Sequence, residues 1–105
     1  MKQYILDGKT PVLEPDRDKW ARWFEKGSHH VARTMTARRF FISTVFLGID
    51  HQWGKGPPLL FETMVFERSK NTDLDMKRYS TWDEAEAGHA ALVRKWRAKL
   101  KWHGS

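Results

Sequence analysis

The chain has 105 residues, no cysteine, and 19 Lys and Arg against 13 Asp and Glu, for a formal net charge of +6. That length fits one domain with one modest core, residues 1–103, with Gly104-Ser105 read as a remnant of expression outside it. The absence of cysteine excludes disulfides, thiolate catalysis and Cys-ligated zinc, and no apolar run is long enough to span a membrane or to serve as a signal peptide.

The first element is a hairpin. Tyr4-Ile5-Leu6 and Thr10-Pro11-Val12-Leu13 flank Asp7-Gly8, a pair that favours a type I′ turn with positive φ at both central residues. Pro11 cannot donate a ladder hydrogen bond, so this strand belongs at an edge. Glu14-Pro15-Asp16 opens a helix, with Asp16 and Asp18 at its positive end. Trp20, Trp23, Phe24 and Gly27 share its apolar face, and the return of Val31 to that face predicts continuation through Arg33. Thr34 to Arg39 then reads as a polar, basic connection.

Two strands follow, FFISTVFLGI from Phe40 and LLFETMVFE from Leu59, joined by the loop Asp50 to Pro58. The first is apolar on both alternating faces, so it is internal to its sheet and covered on both sides, or covered on one side by a partner chain. Register stays open, because a slip of one residue exchanges the two faces. Ser69 to Tyr79 reads as a polar, mobile loop. Thr81-Trp82-Asp83-Glu84 is a capping box that starts a last helix, whose apolar stripe holds Ala85, His89, Leu92, Val93, Trp96 and Leu100. The predicted architecture is α+β: a three- to four-stranded antiparallel sheet with two helices on one face, in the order β(β)-α-β-β-α. The remaining sheet face is a candidate homodimer interface.

Two groups of residues carry possible function. The first is a basic surface. Arg33, Arg38 and Arg39 lie in a stretch without acids, as do Arg94, Lys95, Arg97, Lys99 and Lys101, which interleave with Trp96 and Trp102. Cations neutralise phosphates and indole rings stack on bases, so this composition points to nucleic acid or a nucleoprotein. The competing reading has Trp96 in the core and the cations simply solvated. A basic amphipathic helix can also lie on a membrane, but the acidic first turn of this one argues against that.

The second group is the loop with Asp50, His51 and Trp53, together with Glu62 and His89. Two carboxylates and two imidazoles can bind a divalent metal or form an acid–base pair. Against this, an aspartate at such a position more often caps a turn, and a histidine on an apolar helix stripe is more often a core residue bonded to a carboxylate or carbonyl, so Asp50 and His89 read first as structural. Adjacent His29 and His30 would point in different directions on a helix and cannot share a metal. No phosphate-binding glycine loop, dinucleotide fingerprint, nucleophile elbow or HExxH occurs. These residues imply no cofactor and no established catalytic set.

Three segments together carry a resemblance: YILDGKTPVLEP near the start, STVFLGIDHQWGKGPPLLFETMVF at 43–66, and RYSTWDEAEAGHAALV at 78–93. They resemble a family of small proteins encoded by bacteriophages and prophages. The shared pattern combines G-[IL]-D-H, PPLLFETMVF and YSTWxEAxxGH, and extends over most of residues 3–93. The resemblance implies a phage or prophage origin and brings no activity with it; the absence of cysteine and of a signal peptide adds the expectation of the host cytoplasm. The chain departs from the pattern at Met35–Arg39, at Arg68–Asp73 and in the basic, Trp-containing tail. The reading is therefore a small accessory protein that binds a macromolecule, nucleic acid or a host nucleoprotein such as a defence complex. The alternatives are a metal- or ligand-dependent enzyme or binder at the Asp50-His51 loop, and a structural homodimer.

Overall fold

The computed structural model describes residues 2–27, 29–70 and 72–103, the last three by backbone alone. The chain is α+β, with a two-stranded hairpin, a short helix, a four-stranded antiparallel sheet in sequential order and a long closing helix.

Strands β1 (Tyr4–Asp7) and β2 (Thr10–Leu13) form the expected hairpin, with Tyr4 opposite Leu13 and Asp7 opposite Thr10. Its two-residue turn is Gly8-Lys9, and only Gly8 has positive φ (62°). This is the turn form with glycine at the first central position, and not type I′. Helix α1 (Arg17–Glu25) is capped by Asp16, whose carboxylate accepts from the Asp18 and Lys19 N–H groups at 2.9 and 3.2 Å. Those bonds, the one to Lys19 first, hold the Asp16 carboxyl below its ordinary value.

The helix stops at Lys26 and does not continue through Arg33. His30–Thr36 is instead strand β3, so the polar connection expected at Thr34–Arg39 is a strand end and a tight turn. Two effects favour this outcome. Gly27 weakens a helix here, and β-branched Val31, Thr34 and Thr36 fit a strand that completes hydrogen bonds on the edge of β4. Strand β4 (Phe40–Phe46) pairs with β5 (Phe61–Glu67) in the register Ile42 to Val65 and Phe46 to Phe61. The segment expected to be a mobile loop carries strand β6 (Thr72–Tyr79), paired to β5 with a bulge beside Phe66. Its polar composition fits an exposed edge strand, where charge discourages pairing with another chain.

Helix α2 (Trp82–His103) starts with the predicted capping box. The Glu84 N–H donates to Thr81 Oγ1 and the Thr81 N–H donates to Glu84 Oε1, both at 3.1 Å. The helix lies across one sheet face, and the two core clusters sit beneath it. Phe40, Ile42 and Val65 pack against Leu92, Val93 and Trp96. Phe46, Leu60, Phe61 and Tyr79 pack around Ala85, where Trp23 of α1 also arrives edge-on to Phe46. Each fully buried large side chain of this kind contributes about 1.5–3 kcal/mol of transfer free energy. The hairpin joins through Tyr4 N–H to the Gly48 carbonyl (2.7 Å), and Trp20 Nε1 donates to the Tyr4 and Gly48 carbonyls. No helix among the described residues is long and apolar enough to cross a membrane.

The opposite sheet face has no covering layer among the described residues. Phe41 and Val45 of β4, Met64 and Phe66 of β5, and Met35 and Met76 of the edge strands lie on it, the last two 44% and 47% exposed.

Candidate nucleic-acid interface

The basic residues converge at one end of the sheet, where the β3–β4 and β5–β6 turns meet the C-terminal half of α2. The β3–β4 turn closes with the Arg39 N–H donating to the Thr36 carbonyl at 2.8 Å. Its central residues Ala37 and Arg38 have φ of 47° and 63°. Left-handed conformation at two consecutive non-glycine residues costs energy, and such strain recurs at binding sites. The Arg68 N–H donates to the Arg39 carbonyl at 2.8 Å, which ties the second turn to the first. Arg68 and Lys70 therefore join Arg38 and Arg39.

Aromatic contacts bring α2 to the same place. The Phe40 and Trp96 rings meet edge to face at 4.9 Å. The Arg39 guanidinium sits 5.0 Å from the Phe40 centroid, and the Lys99 and Lys95 ammonium groups lie 5.0 and 5.8 Å from Trp96. Buried rings thus position cations that remain in solvent. Two of these cations are also paired. Arg39 lies 3.9 Å from Glu67, and Lys95 bonds Asp75 at 2.7 Å. The Lys95 bond is the main reason the Asp75 carboxyl falls below its ordinary value. Arg38, Arg68, Lys70 and Lys99 form no ion pair among the described residues.

Arg94 and Arg97 are exposed on α2. Arg33 is not part of this convergence. It pairs with Ser43 on the uncovered face, away from α2. The side chains of Lys101 and Trp102 lie outside the described residues. Trp96, read as a possible base-stacking group, is only 9% exposed and belongs to the core. Arg68 and Lys70 were missed as site residues because strand β6 was not foreseen, so no turn between β5 and β6 placed them beside Arg39. The alternation in Leu74-Asp75-Met76-Lys77 was the available signal for a strand.

The second candidate group does not assemble. Asp50 Oδ1 accepts from the Gln52 and Leu59 N–H groups at 2.8 and 3.0 Å, so Asp50 is a loop cap. The His51 N–H donates to the Leu59 carbonyl. Trp53 is 89% exposed at the loop tip. Glu62 is on the uncovered face, bonded to Arg78 Nε at 2.9 Å. His89 belongs to α2 and meets the other side of the sheet, 6% exposed. Its Nδ1 lies 2.7 Å from Thr44 Oγ1 and its Nε2 2.8 Å from Thr34 Oγ1, while Thr44 bonds Thr63 at 2.6 Å. Burial pushes the His89 pKa down. The neighbouring Tyr79 hydroxyl is buried without a partner in hydrogen-bonding geometry. Burial raises its pKa, and the Thr63 hydroxyl partly opposes the rise. No set of three or more metal-ligating side chains forms among the described residues. His29 and His30 likewise part company: His29 stacks on Trp23 and its Nε2–H donates to the Phe24 carbonyl at 2.7 Å, while His30 enters β3.

No family model, curated protein or solved structure matches this chain.

Proposed function

We propose that this is a small phage-type accessory protein that binds nucleic acid, or a host nucleoprotein such as a defence complex, through its basic end. The observation that carries the reading is the convergence of the strained Arg38 turn, the Arg68 turn and Lys99 of α2 at one end of the sheet. Several cations without an ion pair, and no set of three or more metal-ligating side chains among the described residues, favour polyanion contact as the reading.

The test is binding to DNA and to RNA over a salt series. Affinity should fall linearly on a log–log plot, by about 0.7–0.9 per phosphate engaged. Arg38→Glu and Lys99→Glu should each weaken binding and lower the slope by about one unit. No binding at low salt, or binding indifferent to salt, would sink the proposal.

The uncovered apolar sheet face supports a second reading, a structural homodimer. Sedimentation of the purified chain decides it, and a monomer at micromolar concentration removes it.

A further inference from the structure

The uncovered face has a composition that the basic end does not explain. Phe41 and Phe66 are cross-strand partners on the two central strands, both half-buried, with ring centroids 6.5 Å apart and planes within 26°. They border a cleft of about 350 Å³ whose walls also include Met35 and Arg68. Arg33 stands on the same face, exposed on the edge strand β3.

The charges on this face are unbalanced. Glu62 is held by Arg78 at 2.9 Å, and Glu67, at the cleft, is approached by Arg39 at 3.9 Å. Arg33 and Arg68 form no ion pair among the described residues, and Asp73 on edge strand β6 is the carboxylate left over. A second copy of this chain would bring two unpaired arginines for each unpaired carboxylate, so burial between copies would leave cations without partners. A ligand with flat apolar faces and a regularly charged backbone meets both features. Neighbouring aromatic rings on the central strands of an open four-stranded sheet form a platform on which unpaired bases stack, and flanking cations neutralise phosphates.

We infer that the uncovered face binds single-stranded nucleic acid, with bases stacking on Phe41 and Phe66 and phosphates engaging Arg33 and Arg68. This deepens the proposed function and rests on its premise that the partner is nucleic acid. Arg68 links the two surfaces, since its turn is bonded to the Arg39 turn. Paired bases in a duplex cannot reach the rings, so the platform selects single strands.

The experiment compares a labelled oligothymidylate with a duplex of equal length by fluorescence anisotropy. Phe41→Ala and Phe66→Ala should each weaken single-strand binding between about fivefold and about a hundredfold and leave duplex binding unchanged. Arg38→Glu should weaken both. Because the alanine variants can lose fold, the unaltered chain is also cross-linked to an oligonucleotide carrying 5-iodouracil, and the adducts are mapped by mass spectrometry. Adducts on Phe41 or Phe66 support the platform.

If single-strand affinity survives both alanine variants while Arg38→Glu weakens binding, the platform falls and the proposed function stands. If the alanine variants act and Arg38→Glu does not, the platform stands and the basic end falls. Absence of binding to either nucleic acid overturns both. Adducts confined to other residues, or a dimer that Phe41→Ala dissociates with no loss of single-strand affinity, overturn the platform.

Discussion

His89 Nδ1 lies 2.7 Å from Thr44 Oγ1, and the imidazole spans from β4 to Thr34 of β3 beneath α2. A residue that reads from sequence as a possible metal ligand is thereby committed at both nitrogens to threonine hydroxyls of the sheet. Replacing it with alanine leaves Thr34 and Thr44 short of a partner and opens a cavity. His89→Ala should cost about 2–4 kcal/mol in urea unfolding. Added divalent metal should leave the stability of the unaltered chain unchanged, and a metal-dependent rise in its midpoint would restore the ligand reading.

The same burial predicts an acid-sensitive fold. The folded pKa of His89 is depressed below the ordinary 6.5. As pH falls, the unfolded chain takes up this proton first, so the unfolded state gains. The contribution is fully present above the unfolded value and is lost as pH falls through the folded one. Unfolding midpoints should therefore decline below about pH 6.5, and His89→Gln should flatten that decline. Parallel pH profiles for the two proteins would refute the assignment to His89.

Gly88 offers a test of packing under α2. A Cβ at this position would fall 2.2 Å from ring atoms of Tyr79. In an open helix, glycine to alanine usually gains up to about 1 kcal/mol. Here the clash reverses the sign, and Gly88→Ala should destabilise by about 1–3 kcal/mol. Denaturant midpoints measure it, and a stabilised variant would show that Tyr79 gives way freely.

The Ala37-Arg38 turn should exchange stability against binding. Both residues hold positive φ, which asparagine and glycine adopt more readily. The double change Ala37→Asn and Arg38→Gly should raise stability by about 0.5–2 kcal/mol while weakening nucleic-acid binding. Thermal melts and anisotropy on one preparation report both effects. A more stable variant with full affinity would separate the turn from the interface.

In the loop from Asp50 to Pro58, two neighbouring residues should behave differently. Asp50→Ala removes an acceptor for two backbone N–H groups and should cost about 1–2 kcal/mol. Trp53→Ala, at a residue 89% exposed, should shift stability by no more than about 0.5 kcal/mol. Equal losses at the two positions would mean that the indole packs in solution.

Local signals located much of the fold. Asp7-Gly8 marked the first hairpin, Asp16 the start of α1, and Thr81 to Glu84 the start of α2, because turns and caps depend on residues next to one another. Alternation along β4 puts Phe40, Ile42 and Phe46 on one side, and all three are buried there. The edge strands β3 and β6 were misread as helix and loop. Their polar composition is weakly patterned, and their strand conformation depends on backbone bonds to β4 and β5, residues remote in sequence.

The candidate sites divide in the same way. Sequence by itself determined the α+β class, the caps, the apolar central strands and the supply of cations, since composition and short-range periodicity carry those. Tertiary structure alone decided which of these residues meet. Strand register put Glu62 and His89 on opposite faces, sent Arg33 away from Arg38, and set Phe41 beside Phe66. A side chain's face and its neighbours across a sheet follow from pairing between distant segments, and that pairing is settled by the joint packing of the core.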